Sequence, residues 1–271
     1  MSREGAVRRR ALAALVPLTV VFLLSAGAVL GSDRSPTRLA LRLSWAAPTA
    51  ARPFGSGDAG IDVLAVVSHA TLSALGLAAV VSVFGFVVGT PLGTSAALRG
   101  GAVERFTLRA ADLVQAFPTF LLALAVLSAV KQPTRVHLAG LFALSSWAPF
   151  ARLSLVQARA IAGAPFVEAA RALGATETRV VFDHVLPNVL APVAVQLGTA
   201  AAGVVLGETA LGFVGLGPAD GVSLGVLLEQ GTAGMIRAPH VLVAGAAAVI
   251  AVSASLQTAS EGLRRWATRE G

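Results

Sequence analysis

Residues 71–98 run for twenty-eight positions without one charged side chain. A helix of that length is about 42 Å long at ~1.5 Å per residue, more than the ~30 Å hydrocarbon core of a bilayer. Few folds can absorb such a run outside lipid. The rest of the chain agrees: charged residues make up 13% of it, about half the share usual in soluble domains, and the mean hydropathy is +0.77. The chain reads as an integral membrane protein.

Five further stretches are apolar enough to span: 11–31, 113–130, 138–151 (with its helix continuing past Arg152), 189–207 and 241–260. The fold class expected is therefore an all-α integral membrane protein with about six transmembrane helices. The first stretch follows Arg8, Arg9 and Arg10 and could be a secretory signal. Its apolar run exceeds the roughly 7–15 residues of a signal core, so a retained helix is the better reading. The expected division is a tail at 1–10, a first helix at 11–31, an outer loop at 32–70, a membrane core at 71–265 and a second tail at 266–271. Pro36, Pro48 and Pro53 make the outer loop irregular, with a short helix near 60–70. With both termini inside, fourteen of the 21 lysines and arginines fall on the cytoplasmic side and seven outside. That asymmetry favours the orientation, because basic residues resist translocation.

Absences narrow the function. There is no cysteine, so disulfides and thiolate metal sites are excluded. The four histidines, His69, His137, His184 and His240, are far apart in sequence. Ion-driven carriers place ionisable groups inside the membrane, and here Asp112, Arg152 and Glu208 all fall near helix ends. The only lysine, Lys131, follows VLSAV, so no phosphate-binding G-x-x-x-x-G-K-[ST] loop exists. No nucleophile–base set can be assembled. A net charge of +7 would suit nucleic acid, but tyrosine is absent and no stacking surface is evident. A transporter built this way must draw energy from a partner.

One stretch interrupts the apolar pattern: EAARALGATETRVVFDHVLPN, residues 168–188. Pro165 suits the first turn of a helix. Glu168 sits where the helix dipole favours an acid, and it is three residues from Arg171, within pairing distance. Val167, Ala170 and Leu173 are spaced to share a face. Gly174 can adopt the left-handed cap, Thr176 can cap a second helix, and Leu186-Pro187-Asn188 should break that helix as the fifth span begins. Two readings stay open on the residues alone, a solvated loop with helical propensity or a handle for another protein.

The spacing of Glu168-Ala169-Ala170, Gly174 and Leu186-Pro187 resembles the EAA loop of ABC importer permeases. HVLPN at its end is similar to the branch that carries dipeptides, oligopeptides and nickel, with His184 in a usually hydrophobic slot. PFGSGDAGIDVL (53–64), DLVQAFPTFLLAL (112–124), WAPFAR (147–152), GETALGFVGLG (207–217) and EGLRR (261–265) also resemble segments of that branch. The resemblance implies a type I ABC importer permease fold in the bacterial cytoplasmic membrane. It implies a coupling loop at about 164–188 in which Glu168, Ala169, Ala170 and Gly174 contact an ATP-binding subunit, while Leu186 and Pro187 set the start of helix five. It further implies a second homologous permease, two ATP-binding subunits that hold ATP and Mg, and an external solute-binding protein. This chain itself would hold no cofactor and no metal, and would be no enzyme. The outer side departs from the family pattern: Gly57 stands at an aspartate place, Ile61 at an arginine place, and Leu224 where tryptophan is usual. Peptides are the first reading for cargo. A permease for nickel or another small solute, and a scaffold that no longer transports, are the alternatives.

Overall fold

The computed structural model describes residues 3–267, with side chains from 13 to 265. Of the predicted tails, residues 1–2 and 268–271 lie outside the described residues. The regular structure is helical, apart from one isolated antiparallel bridge between Ser56 and Asp62. In chain order the helices are α1 (Arg3–Leu30), α2 (Val63–Arg99), α3 (Gly101–Ala116), α4 (Thr119–Ser128), α5 (Arg135–Ile161), α6 (Pro165–Ala172) and α7 (Glu177–Arg179). A π-helical turn (Val180–Val185) leads into α8 (Leu186–Ala194) and α9 (Gln196–Leu211), a second π-helical segment (Gly212–Leu216) follows, and α10 (Leu224–Ala233) and α11 (Pro239–Ala267) complete the fold.

Five helical stretches are long and apolar enough to cross a membrane, and α3 with α4 make a sixth if the bent pair is one span. The expected third span, 113–130, is not straight. Helix α3 starts back at Gly101, and the chain bends by 62° between α3 and α4. Pro118 explains the break: it cannot donate to the preceding turn, and it pushes Phe117 out of the helical region to φ −95°, ψ 124°. The first helix extends back to Arg3, so residues 3–10, expected as tail, are helical.

The second span begins at Val63, eight residues before the expected Thr71. The short helix expected near 60–70 is its first two turns. Asp62 is the reason, because its side chain accepts hydrogen bonds from the backbone N–H groups of Leu64 and Ala65. Asp62 also pairs with Arg34 at 2.9 Å, tying the outer segment to the helix start. Replacing Asp62 with alanine should cost about 1–2 kcal/mol from the lost cap. Asp62→Asn, which keeps an acceptor, should cost less. Thermal unfolding of the two variants in detergent measures the difference.

Between α1 and α2 the outer segment folds back on itself. Trp45 N–H donates to Gly57 and Ser56 N–H to Ala46, while the Arg52 guanidinium donates to Ser56 Oγ and the Gly60 carbonyl, both at 2.7 Å. The Trp45 ring lies against Gly234, where a side chain would collide with it. Trp45 and Ile61 pack on a buried cluster of Val63, Val66, Leu227 and Val241, which joins this segment to α10 and α11. Helix α10 was not expected from the sequence. At ten residues it is too short to stand out as a span, and it rests on Gly225, where a Cβ would enter the Thr209 carbonyl.

The centre of the bundle is the closely packed pair α2 and α5. Gly85, Gly89 and Gly93 recur every four residues on one face of α2. A Cβ at Gly85 would meet the Ser146 carbonyl at 2.7 Å, one at Gly89 would meet Phe150 Cβ at 2.8 Å, and one at Gly93 would enter the Ala151 carbonyl. Within lipid, close packing replaces the hydrophobic effect as the force between helices, and small residues permit the approach. Gly198 plays the same part between α9 and α11, facing Leu256 and Ser260. At Gly76 and Gly203, by contrast, nothing is packed against the place of a Cβ. Leu77, Val81, Leu127, Leu138, Phe142, Val205 and Leu211 then close a core shared by α2, α4, α5 and α9.

Candidate functional site

The polar stretch at 164–188 forms one compact element at the end of the bundle where α5 stops. Helix α6 begins with Pro165 at its first position, where a missing N–H costs nothing. It ends in a Schellman turn. Ala175 N–H donates to the Ala170 carbonyl at 3.1 Å, and Gly174 N–H to the Arg171 carbonyl at 2.9 Å. Gly174 supplies the left-handed residue, φ +85°. Thr176 then caps α7, its side chain accepting from Arg179 N–H at 3.4 Å.

The helix is clamped from below. Val167 and Ala170 are buried with Phe150 and Ala158 of α5, Val180 and Val185 of the π-helical turn, and Val189 and Val193 of α8. Movement of α6 must therefore move α5 and the start of the fifth span. Two ion pairs brace the same end: Arg152 with Asp112, and Arg159 with Glu104. Both join α3 to α5. Neither pairing was evident from the sequence, because α3 lay partly outside the expected span.

The structure divides the expected contact residues. Glu168, Ala169 and Gly174 are exposed. Ala170 is only 7% exposed and faces the bundle, so in this chain it seats the helix. Leu186 is half-buried and Pro187 exposed. Proline was expected to break the run here, yet the backbone stays helical through it. The π-helical turn is the reason: Leu186 N–H reaches back five residues to the Val181 carbonyl, which places Pro187 at the first turn of α8, where no N–H is needed. Glu168 does not pair with Arg171. Arg171 Nε instead bonds Glu177 across the turn at 3.2 Å, leaving Glu168 without an ion pair among the described residues.

Leu173 is the largest departure. Its spacing suggested a buried face with Val167 and Ala170, but it is 89% exposed. The helix ends one residue earlier, and at φ −77°, ψ 1° Leu173 has left the helical screw. Phe166 and Phe182 are also exposed. The outcome is an exposed apolar Leu173 at the tip of the turn, beside the small surface of Ala169 and Gly174. Among the described residues, no group other than its own chain neighbours lies within 4 Å of where a Gly174 Cβ would stand. A rigid, small, apolar knob is suited to fill a pocket in another protein. Nothing in it is arranged for bond chemistry, and among the described residues no group of three or more His, Asp or Glu side chains could hold a metal.

Comparison with known proteins places the chain. A family model described as "binding-protein-dependent transport system inner membrane component" matches residues 89–269, from the glycine stripe of α2 past the knob to the end of α11. A Brucella suis biovar 1 protein named for a peptide transport system permease is 29% identical over 254 residues, 92% of this chain and 84% of that one. The glutathione transport system permease protein of Pectobacterium atrosepticum is 27% identical over 218 residues, covering 80% of this chain and 72% of its own. The oligopeptide transport system permease protein of Mycobacterium tuberculosis is 27% identical over 214 residues, covering 78% and 73%. With most of its length inside the family model, and with its apolar helices, this multi-pass protein of the bacterial inner membrane belongs to the binding-protein-dependent transport system inner-membrane components, the permeases of ABC importers.

Proposed function

We propose that the chain is one of two permease subunits of an importer for short peptides, and that the α6 knob is its seat on an ATP-binding subunit. The observation that carries the coupling role is Leu173, an apolar side chain 89% exposed on a turn held rigid by backbone and side-chain hydrogen bonds. Ala169 and Gly174 beside it offer a surface another protein can approach closely. On this reading the knob end is cytoplasmic, as are both termini, and the Trp45 end faces the external binding protein. ATP and Mg belong to two partner subunits. Their closure pulls on α6, and the packing of Val167 and Ala170 against Phe150 and Val185 carries the pull into α5 and α8.

Cargo follows from the relatives, whose names give peptides, glutathione and oligopeptides as what those proteins transport. The test is uptake into proteoliposomes holding this chain, its partner permease, both ATPases and the binding protein. Labelled di- to pentapeptides should accumulate only with internal ATP. Uptake of nickel or another small solute, with no peptide accumulating, would keep the permease role and discard the cargo.

A further inference from the structure

At the end of the bundle opposite the knob lies a second feature that the coupling role does not use. A cavity of about 390 Å³ is lined by Pro36 and Thr37 of the outer segment, His69, Leu72 and Ser73 of α2, Arg135 at the start of α5, and Gly221 and Val222 before α10. None of these residues is acidic. Arg135 is charged, and Thr37 and Ser73 are hydroxyls.

The Arg135 guanidinium is underused. Its one hydrogen bond is long, 3.5 Å to the Val222 carbonyl, and it makes no ion pair among the described residues. Its Nε is enclosed and has no hydrogen-bond partner among the described residues. Glu208, 2% exposed on α9, lies within Coulombic reach of it and leaves Oε2 without a partner. Asp220 accepts from the Arg135 backbone N–H at 3.2 Å, not from the guanidinium.

The site is built rather than incidental. The guanidinium lies over Gly221, where a Cβ would enter it. The loop carrying Gly221 is stapled to the segment just before α5 by Ala219 N–H, which donates to the Pro133 carbonyl at 2.7 Å. The His69 ring is fixed by its Nδ1–H, which donates to the Ala65 carbonyl at 2.9 Å. Its Nε2 has no partner among the described residues.

We infer that the Arg135–His69 cavity binds a single oxyanion, the carboxylate of a small solute or the phosphate of a lipid headgroup. A guanidinium matches either group through paired N–H donors, and Ser73 adds a hydroxyl. The inference stands whether or not the transported cargo is a peptide.

The test uses the full chain assembled with its partner subunits in phosphatidylcholine nanodiscs. Trialanine and its C-terminal amide are titrated by calorimetry. In a second arm, discs containing phosphatidylglycerol are examined by native mass spectrometry for retained lipid. Arg135→Gln should weaken the interaction about ten- to a hundred-fold, the size expected for one charge-assisted pair. Gly221→Ala, which displaces the guanidinium without removing it, should also weaken it. The control is the exposed Arg237→Gln, outside the cavity, which should leave binding unchanged. Binding of trialanine but not its amide, lost in both site variants, identifies a soluble carboxylate. Retained phosphatidylglycerol that disappears in both variants, with no trialanine binding, identifies the headgroup. If neither ligand distinguishes the wild type from Arg135→Gln and Gly221→Ala, while all three melt alike, the inference is wrong.

Discussion

Gly93→Leu should unfold or loosen the bundle, whereas Gly76→Leu on the same helix should not. Both residues are glycines of α2 within an uncharged span. At Gly93 a Cβ would enter the Ala151 carbonyl and press on Ser154 Oγ, while at Gly76 nothing lies within 4 Å. The obstruction at Gly93 is backbone, so α5 must move away bodily. Overpacking of this kind costs about 3 kcal/mol or more, roughly 6–12 °C in the unfolding midpoint of a chain this size. The consequence reaches function, because α5 carries Phe150, which supports α6. Scanning fluorimetry in detergent compares the two variants directly. Equal melting would mean that the glycine stripe does not hold α2 against α5.

The second large effect is expected at Gly174. Its φ of +85° costs an L-residue about 1–2 kcal/mol, and asparagine tolerates the region better than alanine. The space beside it is open in this chain, with nothing packed against the place of a Cβ, so a side chain there starts into open space. Gly174→Trp should therefore leave the chain folded and assembled in the membrane but reduce ATP-driven uptake to background. Gly174→Asn, smaller and compatible with the turn, should keep a substantial part of it. If Asn, Ala and Trp reduce uptake equally, the turn conformation alone matters. Normal uptake by Gly174→Trp would remove the knob from the coupling path.

Much of this was legible in the sequence because lipid is a strict solvent. Uncharged runs located the spans, since no other environment suits them. Pro165, Gly174 and Thr176 each fix a local conformation by their own chemistry, and the loop they shape has the expected start, turn and cap. What was hidden depends on the third dimension. The Leu173 side chain turns outward because α6 stops one residue short, a boundary that spacing does not reveal. Pro187 looked like a breaker because a π-helical turn, set by a backbone bond to Val181, leaves no mark in residue pattern. Helix α10 and the Arg135 cavity bring together residues as distant as His69 and Gly221, and one chain read in order does not place them side by side.

The seating of the α6 knob on an ATP-binding subunit is tested most directly by the accessibility of a single thiol. The chain has no cysteine, so Leu173→Cys provides a unique one at the exposed tip. Its rate of labelling by a membrane-impermeant maleimide, added from the knob side, is measured with the permease pair alone and with cysteine-free ATP-binding subunits bound. Labelling should be fast in the pair alone and at least about ten-fold slower in the full complex, as for a side chain buried at an interface centre. Equal rates in the two preparations, with the ATP-binding subunits shown to be bound, would contradict the seating of the knob.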